Sequence, residues 1–245
     1  MSEKWILFLG AGSDVARELA KLYAIEGYNL YLAGRDVSEM EDLSYALSRA
    51  YGIKGRGAGF DALDYDSHAR FYSSLEPKPY GVVCAFGYLG VQERAESEWD
   101  EAKKILDTNL TGAVSILNIA ANDLESRKSG FIIGISSTAG DRGRATNYIY
   151  GAAKGGFSSY LSGLRNRLYR HGVSVLTVKP GFMATKMTAH LGLPKLLTAS
   201  PSGAAADIFR AARKGKNIVY TKWFWGIIMF VIIHIPEGIF KRMKI

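Results

Sequence analysis

The sequence contains one cysteine among its 245 residues, which excludes an internal disulfide. Cys84 lies in the apolar run at 81–87, so we expect a buried thiol in a reducing cytosol. No linker, repeat or low-complexity run divides the chain, and its length suits one large α/β domain or two small ones. No long apolar segment with a cleavage site follows Met1, so we expect no signal peptide.

Net charge is nearly absent from the first 209 residues, although the formal net charge of the chain is +8. From Arg210 onward there are eight lysines and arginines and one acid, so 8 − 1 = +7 of the excess lies in the last 36 residues. No basic stripe with interleaved aromatic residues occurs in the first 200 residues. We therefore predict no nucleic-acid partner, and we predict no metal site.

Short apolar runs alternate with helical patterns throughout the chain. The run KWILFL at 4–9 is continuously apolar, as in a strand that is buried on both faces of a parallel sheet. The alternation predicts an α/β protein: a single-domain Rossmann fold, doubly wound, with about seven parallel strands and helices on both faces. We assign residues 1–221 to this domain and residues 222–245 to a C-terminal tail.

A glycine-containing turn follows the first strand. Gly10 and Gly12 permit a tight turn before a helix with apolar residues at helical spacing. Free amides and the helix dipole at such a position favour phosphate oxygens, so the turn predicts a dinucleotide pyrophosphate site. Turns of this kind also occur where a strand merely meets a helix.

The residues at the end of the second predicted strand help to distinguish NADP(H) from NAD(H). Arg35 lies some twenty residues beyond the turn, where an arginine would pair with the 2′-phosphate of NADP and an acid would bind the ribose of NAD. NADP(H) is therefore favoured, although the adjacent Asp36 is compatible with NAD(H). The alternative for Arg35 is a solvated surface arginine without a role in cofactor binding. Asp61, after the third strand, is placed to reach the adenine.

The segment from Ser136 to Lys154 contains the strongest chemical signal. If Tyr150 begins a helix, Lys154 follows at i+4 on the same face, so an ammonium group can lie beside the phenol. Such a cation lowers a tyrosine pKa and makes the phenol a general acid near neutrality. One pair with this spacing is about what chance supplies among 14 tyrosines. The preceding apolar strand and hydroxyl-bearing residues favour the functional interpretation.

Two further positions lie near this predicted chemistry. Asn109 lies among apolar residues of a predicted helix, where its amide needs hydrogen-bond partners. It either marks a local cap or kink or holds a water near the chemistry. Pro180 and Gly181 form a sharp loop at the carboxyl end of a strand, where ligands bind in open α/β sheets.

Taken together, these residues resemble the short-chain dehydrogenase/reductase family over nearly the whole chain. The glycine turn is similar to TGxxxGxG with departures at Leu9, Asp14 and Ala16, and CAFG at 84–87 is similar to NNAG. Asn109 with Gly112 matches NxxG, and Ser137 precedes Tyr150 by thirteen residues. The resemblance implies cofactor contacts at Gly10, Gly12, Ser13, Asp14, Val15, Arg35, Asp61, Phe86, Gly87, Pro180, Gly181 and Thr185.

The same resemblance implies an NAD(P)H-dependent reductase of a ketone. Tyr150 would donate the proton, and Lys154 would lower its pKa and hold the nicotinamide ribose. Ser137 would polarise the carbonyl, and Asn109 would keep a water in the proton relay. A catalytically idle dinucleotide-binding scaffold is the alternative from another class, supported only by the altered glycine motif.

A closer similarity is to decaprenylphosphoryl-2-keto-ribose reductases, on the segments 136–154, 179–191 and 234–245. It implies a polyprenyl-phospho-2-keto-sugar substrate in cell-envelope sugar metabolism, with reduction of a soluble or fatty-acyl ketone as the alternative. Family members usually form homo-oligomers, so a dimer or tetramer is expected. Arg142, Arg144 and Lys186 would help to bind a phosphate-bearing substrate, although solvated loop charges are equally expected.

The tail is apolar for thirteen residues, WFWGIIMFVIIHI at 223–235. Such a run is too short to span a hydrocarbon core of about 30 Å as a helix. Aromatic and basic residues after Pro236 are typical of a segment at an anionic membrane surface. We expect a cytoplasmic protein with peripheral contact at the inner face of the membrane; packing in an oligomer, over the substrate cleft or in the core is the alternative.

Overall fold

The computed structural model describes residues 4–189, 192 and 194–243. Its centre is a seven-stranded parallel sheet with the order β3-β2-β1-β4-β5-β6-β7. The predicted doubly wound sheet is therefore confirmed. The strands are β1 Trp5–Leu9, β2 Asn29–Gly34, β3 Gly55–Gly59, β4 Gly81–Cys84, β5 Gly130–Ile135, β6 Val173–Pro180 and β7 Ile218–Thr221.

Helices cover both faces of the sheet. Within the described residues the α-helices are α1 Asp14–Ile25, α2 Val37–Tyr51, α3 Tyr65–Ser74, α4 Gln92–Ser97, α5 Trp99–Leu106, α6 Gly112–Arg127, α7 Tyr148–Tyr169, α8 Pro201–Arg213, α9 Phe224–His234 and α10 Glu237–Phe240. A π-helix, Asp107–Thr111, joins α5 to α6, and short 3₁₀ turns occupy Thr138–Gly140 and Lys186–Thr188.

Alternation along β1 produces the two core layers. Leu7 and Leu9 pack in the cluster that contains the inner faces of α6 and α7, and Ile6 and Phe8 pack in the cluster with α1 and α8. Because successive side chains of a strand point to opposite faces, a continuous apolar strand buries both faces at once. The carboxyl ends of the strands meet at one edge, where the predicted site residues also lie.

The tail continues beyond the last strand as α9 and α10. Trp225 and Met229 of α9 are buried, whereas Trp223, Ile227 and Phe230 are 76%, 57% and 64% exposed. In the part of the chain that the structure describes, no helix is both long and apolar enough to cross a membrane.

Candidate active site

Tyr150 and Lys154 lie one turn apart near the start of α7, as the spacing predicts. The Lys154 side chain is buried, and its Nζ donates a hydrogen bond to the carbonyl of Ile135 at 3.0 Å. The same nitrogen lies 5.8 Å from the centre of the Tyr150 ring. The end of β5 therefore fixes the lysine beside the phenol.

The two adjacent serines have different partners. Ser136 Oγ is buried, donates to the carbonyl of Lys154 at 2.9 Å and shares a 2.7 Å hydrogen bond with Ser158 Oγ. Ser137 Oγ accepts from the amide of Ala139 at 3.1 Å, and its side chain hydrogen-bonds to Tyr150. Ser137, rather than Ser136, is thus the hydroxyl associated with the phenol.

The protonation energetics differ from the expected lowering of the tyrosine pKa. Burial raises the pKa of Tyr150 to about 12, and the hydrogen bond to Ser137 acts in the opposite direction. Burial lowers the pKa of Lys154 to about 8. Desolvation disfavours the charged form of each group, and it is the largest cause of both pKa shifts. The phenol therefore holds its proton firmly, and Lys154 is a cation at neutral pH.

Asn109 lies in the π-helix and holds the loop that follows β4. Its Nδ2 donates to the carbonyls of Tyr88 at 2.6 Å and Ile105 at 2.8 Å, and its Oδ1 accepts from the amide of Tyr88 at 3.1 Å. A Cβ on Gly87 would lie 2.9 Å from Asn109 Oδ1 and 3.4 Å from Lys154 Nζ. A side chain at position 87 would therefore press on the Asn109 amide where this loop passes between the amide and the lysine.

A cavity of about 470 Å³ extends from the glycine turn to the end of β3. Arg35 lines it, is exposed, and makes no ion pair with any residue that the structure describes. The Asp36 carboxylate instead caps α2, accepting from the amide of Glu39 at 3.0 Å. Other residues predicted to bind cofactor that line this cavity are Gly10, Gly12, Ser13, Asp61, Phe86 and Gly87.

Ser13 and Gly10 also have structural roles in the turn. Ser13 is the N-cap of α1, and its Oγ accepts from the amide of Ala16 at 3.2 Å. Gly10 has φ +79°, and a Cβ there would lie 2.6 Å from the backbone nitrogen of Phe86. Only glycine permits this close approach, which opens the start of α1 toward the cavity.

A second cavity, of about 220 Å³, adjoins the first and is lined by Tyr150 and Lys154. Asp14 and Thr185 lie on its wall, and Asp14 Oδ2 accepts from the amide of Lys186 at 2.8 Å. This bond fastens the loop after β6 to the start of α1. Further lining residues are Gly12, Ser13, Val15, Ser136, Met183, Lys186 and Met187.

Pro180 and Gly181 line neither of these two cavities. A Cβ on Gly181 would lie 2.0 Å from Trp225 Cε2, so this glycine admits the indole of α9. Trp225 Nε1 donates to the carbonyl of Leu197 at 3.0 Å, and its ring meets Phe182 edge to face. The tail thus packs directly on the loop at the carboxyl end of β6.

Several residues at this site have little or no signal in the sequence. Met183 and Met187 lie in the second cavity, and their only sequence signal is their position shortly after Pro180. Glu101 also went unnoticed: its Oε1 accepts from the Tyr88 hydroxyl at 2.9 Å and from the Val91 amide at 3.1 Å. A charged residue in a helix gives no hint of such long-range pairing.

A parallel doubly wound sheet and a Ser–Tyr–Lys group beside a glycine-lined cavity define an α/β oxidoreductase. The model for short chain dehydrogenase matches residues 4–195. The chain belongs to the short-chain dehydrogenase family, which confirms the predicted family and enzyme class.

A curated relative agrees with this assignment, and solved structures share the fold. A protein of Mycobacterium tuberculosis, named only as an uncharacterized oxidoreductase, is 34% identical over 241 residues, covering 97% of this chain and 96% of that protein. A Sphingobium yanoikuyae short-chain dehydrogenase, solved with NADPH, superposes with a TM-score of 0.82 at 17% identity, covering 96% and 97% of the two chains. A Burkholderia cenocepacia short chain dehydrogenase, solved with NADP, gives 0.84 at 18% identity, covering 98% and 97%.

Proposed function

We propose that the protein reduces a ketone to a secondary alcohol, with a nicotinamide dinucleotide as the hydride donor. The observation that carries this proposal is the cavity in which Tyr150 and Lys154 face the glycine turn. The open start of α1 and the glycines at 10 and 12 fit a dinucleotide pyrophosphate. The dinucleotide supplies the hydride when bound.

Each side chain of the group then has a defined task. Tyr150 donates its proton to the developing alkoxide, since burial keeps the phenol protonated. Lys154 supplies positive charge beside the reacting oxygen and binds the nicotinamide ribose. Ser137 donates a hydrogen bond to the carbonyl oxygen, and Asn109 holds the loop at Gly87 and a water of the proton relay. Retention of all four residues argues against an idle dinucleotide-binding scaffold.

NADP(H) is the proposed cofactor, with NAD(H) as a weaker alternative. Arg35 is available to a 2′-phosphate, whereas Asp36 is occupied as a helix cap. The two solved relatives described above, which contain NADPH and NADP, support the same choice.

The central test is turnover by the Tyr150→Phe variant, followed through the absorbance of NADPH with a panel of ketones. Turnover should vanish while NADPH binding, measured by fluorescence, is retained. Tyr148→Phe is the matched control, because Tyr148 lies two residues before Tyr150 in α7 and is 45% exposed. Undiminished turnover by Tyr150→Phe would exclude this tyrosine as the proton donor.

For the substrate we propose a polyprenyl-phospho-2-keto-sugar, reduced at the inner face of the cytoplasmic membrane. The support is the apolar outer surface of α9 beside the candidate site, flanked by the exposed cations Lys241 and Arg242. The packing of Trp225 on Phe182 also favours a second candidate, a fatty-acyl ketone covered by α9. Turnover on a lipid-linked keto-sugar, a β-ketoacyl thioester and a soluble ketone, compared in detergent, separates these candidates.

We propose further that residues 222–245 form a membrane-contacting unit appended to a catalytic domain of residues 1–221. Apolar side chains such as Trp223 and Phe230 would enter the interface, and the basic residues would meet anionic lipid headgroups. Truncation after Thr221 should abolish sedimentation with anionic liposomes. Sedimentation of the truncated protein at the wild-type level would contradict the proposal.

A homo-oligomer, a dimer or tetramer, is the proposed assembly. The helices around Asn109 and Tyr150 leave Trp99 68% and Tyr148 45% exposed, which suits a further protein contact. Light scattering coupled to size exclusion should report a mass above that of the 26.8 kDa chain. A monomer at all concentrations would refute this assembly.

A further inference from the structure

Glu101, on α5, is a buried acid that lines neither of the two cavities described above. Its Oε1 accepts from the Tyr88 hydroxyl at 2.9 Å and from the Val91 amide at 3.1 Å. Burial acts to raise the pKa of this carboxyl, but the two hydrogen bonds and the cations Arg94 and Lys104 hold the pKa below its usual value. Glu101 is therefore an ionised acceptor at neutral pH, and a buried carboxylate of this kind calls for an explanation.

The loop at 88–91 is shaped around this carboxylate. Gly90 has φ +68°, and a Cβ there would lie 2.9 Å from Glu101 Oε1. A side chain at this position would be strained and would push against the acid. At the start of the loop, Asn109 bonds to both backbone groups of Tyr88. The loop is thus held at its first residue by Asn109 and at its last residue by Glu101.

The residue that follows this loop supports the first turn of α7. Gln92 begins α4 and is buried, and its Oε1 accepts from the Ile149 amide at 3.2 Å. The first amides of a helix have no acceptor within the helix, and Asn147, the N-cap of α7, makes no side-chain capping bond. Gln92 therefore supplies an acceptor to the amide that directly precedes Tyr150.

Apolar packing connects the same elements. Tyr88, Ile149 and Tyr150 pack against a small cluster of buried residues from α4 and α5, namely Ala95, Ala102 and Ile105. Val91 is the N-cap of α4, so the bond from its amide to Glu101 joins α4 to α5 beside this cluster. The two helices together form the surface on which the Tyr150 turn rests.

The loop that precedes α7 has a separate attachment, to the tail. Arg142 Nη1 donates to the carbonyls of Ile232 at 2.6 Å and Ile235 at 2.7 Å, at the end of α9. These bonds hold the loop several residues before the helix begins. Among the described residues, Gln92 is the side chain that accepts from a backbone amide of the first turn itself.

We propose that Glu101 is a positioning residue, which orients the phenol of Tyr150 through the loop at 88–91 and Gln92. This inference rests on the proposed function, in which Tyr150 donates the proton. A displacement of about 1 Å in a reacting group can reduce a rate about a hundredfold, so a small shift of this turn should lower kcat. Glu101 does not line the dinucleotide cavity, so the affinity for NADPH should be nearly unchanged.

The test compares two variants of Glu101 in ketone reduction. Both hydrogen bonds end on Oε1, so the amide oxygen of Glu101→Gln can accept them, whereas Glu101→Ala removes the acceptor. Glu101→Ala should lower kcat about tenfold to a hundredfold at a nearly constant KM for NADPH. Glu101→Gln should restore kcat to within about fivefold of the wild type. The solvent isotope effect on kcat should rise in Glu101→Ala, because proton transfer from a displaced phenol is slower.

Asp100→Ala is the matched control, since Asp100 is an exposed acid that precedes Glu101 on the same helix. It should have the kcat of the wild type. Wild-type kcat in Glu101→Ala would overturn the proposal. Equal losses in Glu101→Ala and Glu101→Gln would overturn it as well, because the hydrogen bonds would then not be the cause.

Gln92→Ala removes the next contact on the same path. It should lower kcat about tenfold, and the double variant with Glu101→Ala should lose little more than Glu101→Ala alone, because both changes act through one contact. Losses that multiply in the double variant would overturn the proposed path. If Glu101→Ala does not fold, the same comparison is made with Tyr88→Phe, which deletes only the hydroxyl that bonds to Glu101.

Amide hydrogen exchange separates this inference from the proposed function, because it requires no turnover. Deuterium uptake by the peptide that contains Ile149 should be faster in Glu101→Ala and Gln92→Ala than in the wild type and Asp100→Ala. Unchanged uptake in Glu101→Ala would overturn the positioning role. A wild type that reduces no ketone would refute the proposed function, whereas faster uptake in Glu101→Ala would still support the link from Glu101 to α7.

Discussion

Replacement of Lys154 by methionine should remove activity and raise stability. The side chain is 3% exposed, and burial lowers its pKa from 10.5 to about 8. At about 1.4 kcal/mol per pKa unit, the buried cation costs roughly 3 kcal/mol of folding free energy at pH 7. Methionine has a similar length and no charge, but it loses the bond to the Ile135 carbonyl, which contributes about 1 kcal/mol. The net gain is about 2 kcal/mol.

The pH dependence of stability follows from the direction of the shift. Below pH 8 both folded and unfolded chains hold the lysine proton, so the cost of the buried charge is present in full. Between pH 8 and 10.5 the unfolded chain binds more protons, and wild-type stability rises with pH. The methionine variant lacks this rise, so its advantage should shrink across that window.

Urea unfolding of the cofactor-free protein at several pH values measures this difference. At neutral pH the variant should also melt about 4–8 °C higher, given about 2–4 °C per kcal/mol for a chain of this size. Lys216→Met, at an exposed position, should leave stability unchanged. A variant less stable than wild type at pH 7, or an advantage that stays constant up to pH 10, would refute the reasoning.

Two further predictions concern the cofactor and the tail. Arg35→Ser should raise the KM for NADPH about tenfold to a hundredfold and leave the KM for NADH nearly unchanged. Steady-state kinetics measures both values, with Arg49→Ser as the control variant. Equal effects on the two cofactors would contradict the prediction. Gly181→Ala should destabilise the protein by about 1–3 kcal/mol in urea unfolding, because the added Cβ would lie 2.0 Å from Trp225. In a Trp225→Ala background most of this cost should disappear, and an undiminished cost would count against the overpacking.

The sheet was predictable because most of its strands are short apolar runs next to helical patterns, although β3, with the sequence GRGAG, is not. The run at 4–9 is buried on both faces, as a parallel strand requires. Local spacing also placed Tyr150 and Lys154 on one face of α7, because four residues make about one helical turn. The helix begins at Tyr148 rather than Tyr150, within the usual uncertainty of helix ends.

Other features depend on contacts between distant residues and were not predictable. The apolar pattern from Trp99 onward predicts one helix, but the hydrogen bonds of Asn109 to Tyr88 and Ile105 accompany a π-helix. Gly181 matches a cofactor motif in sequence, yet it packs against an indole 44 positions further along the chain. Burial raises the pKa of Tyr150, and the spacing of residues along the sequence does not reveal burial.

The hydrogen bonds between Arg142 and the end of α9 bear on the order in which the protein folds during synthesis. The sheet is complete once β7 has formed, at Thr221, but Arg142 bonds to carbonyls 90 and 93 positions beyond it. During synthesis the loop that precedes Tyr150 therefore gains these hydrogen bonds only after β7 has left the ribosome. A nascent chain that ends just after β7 would contain every strand of the sheet, but the loop before Tyr150 would lack its bonds to α9.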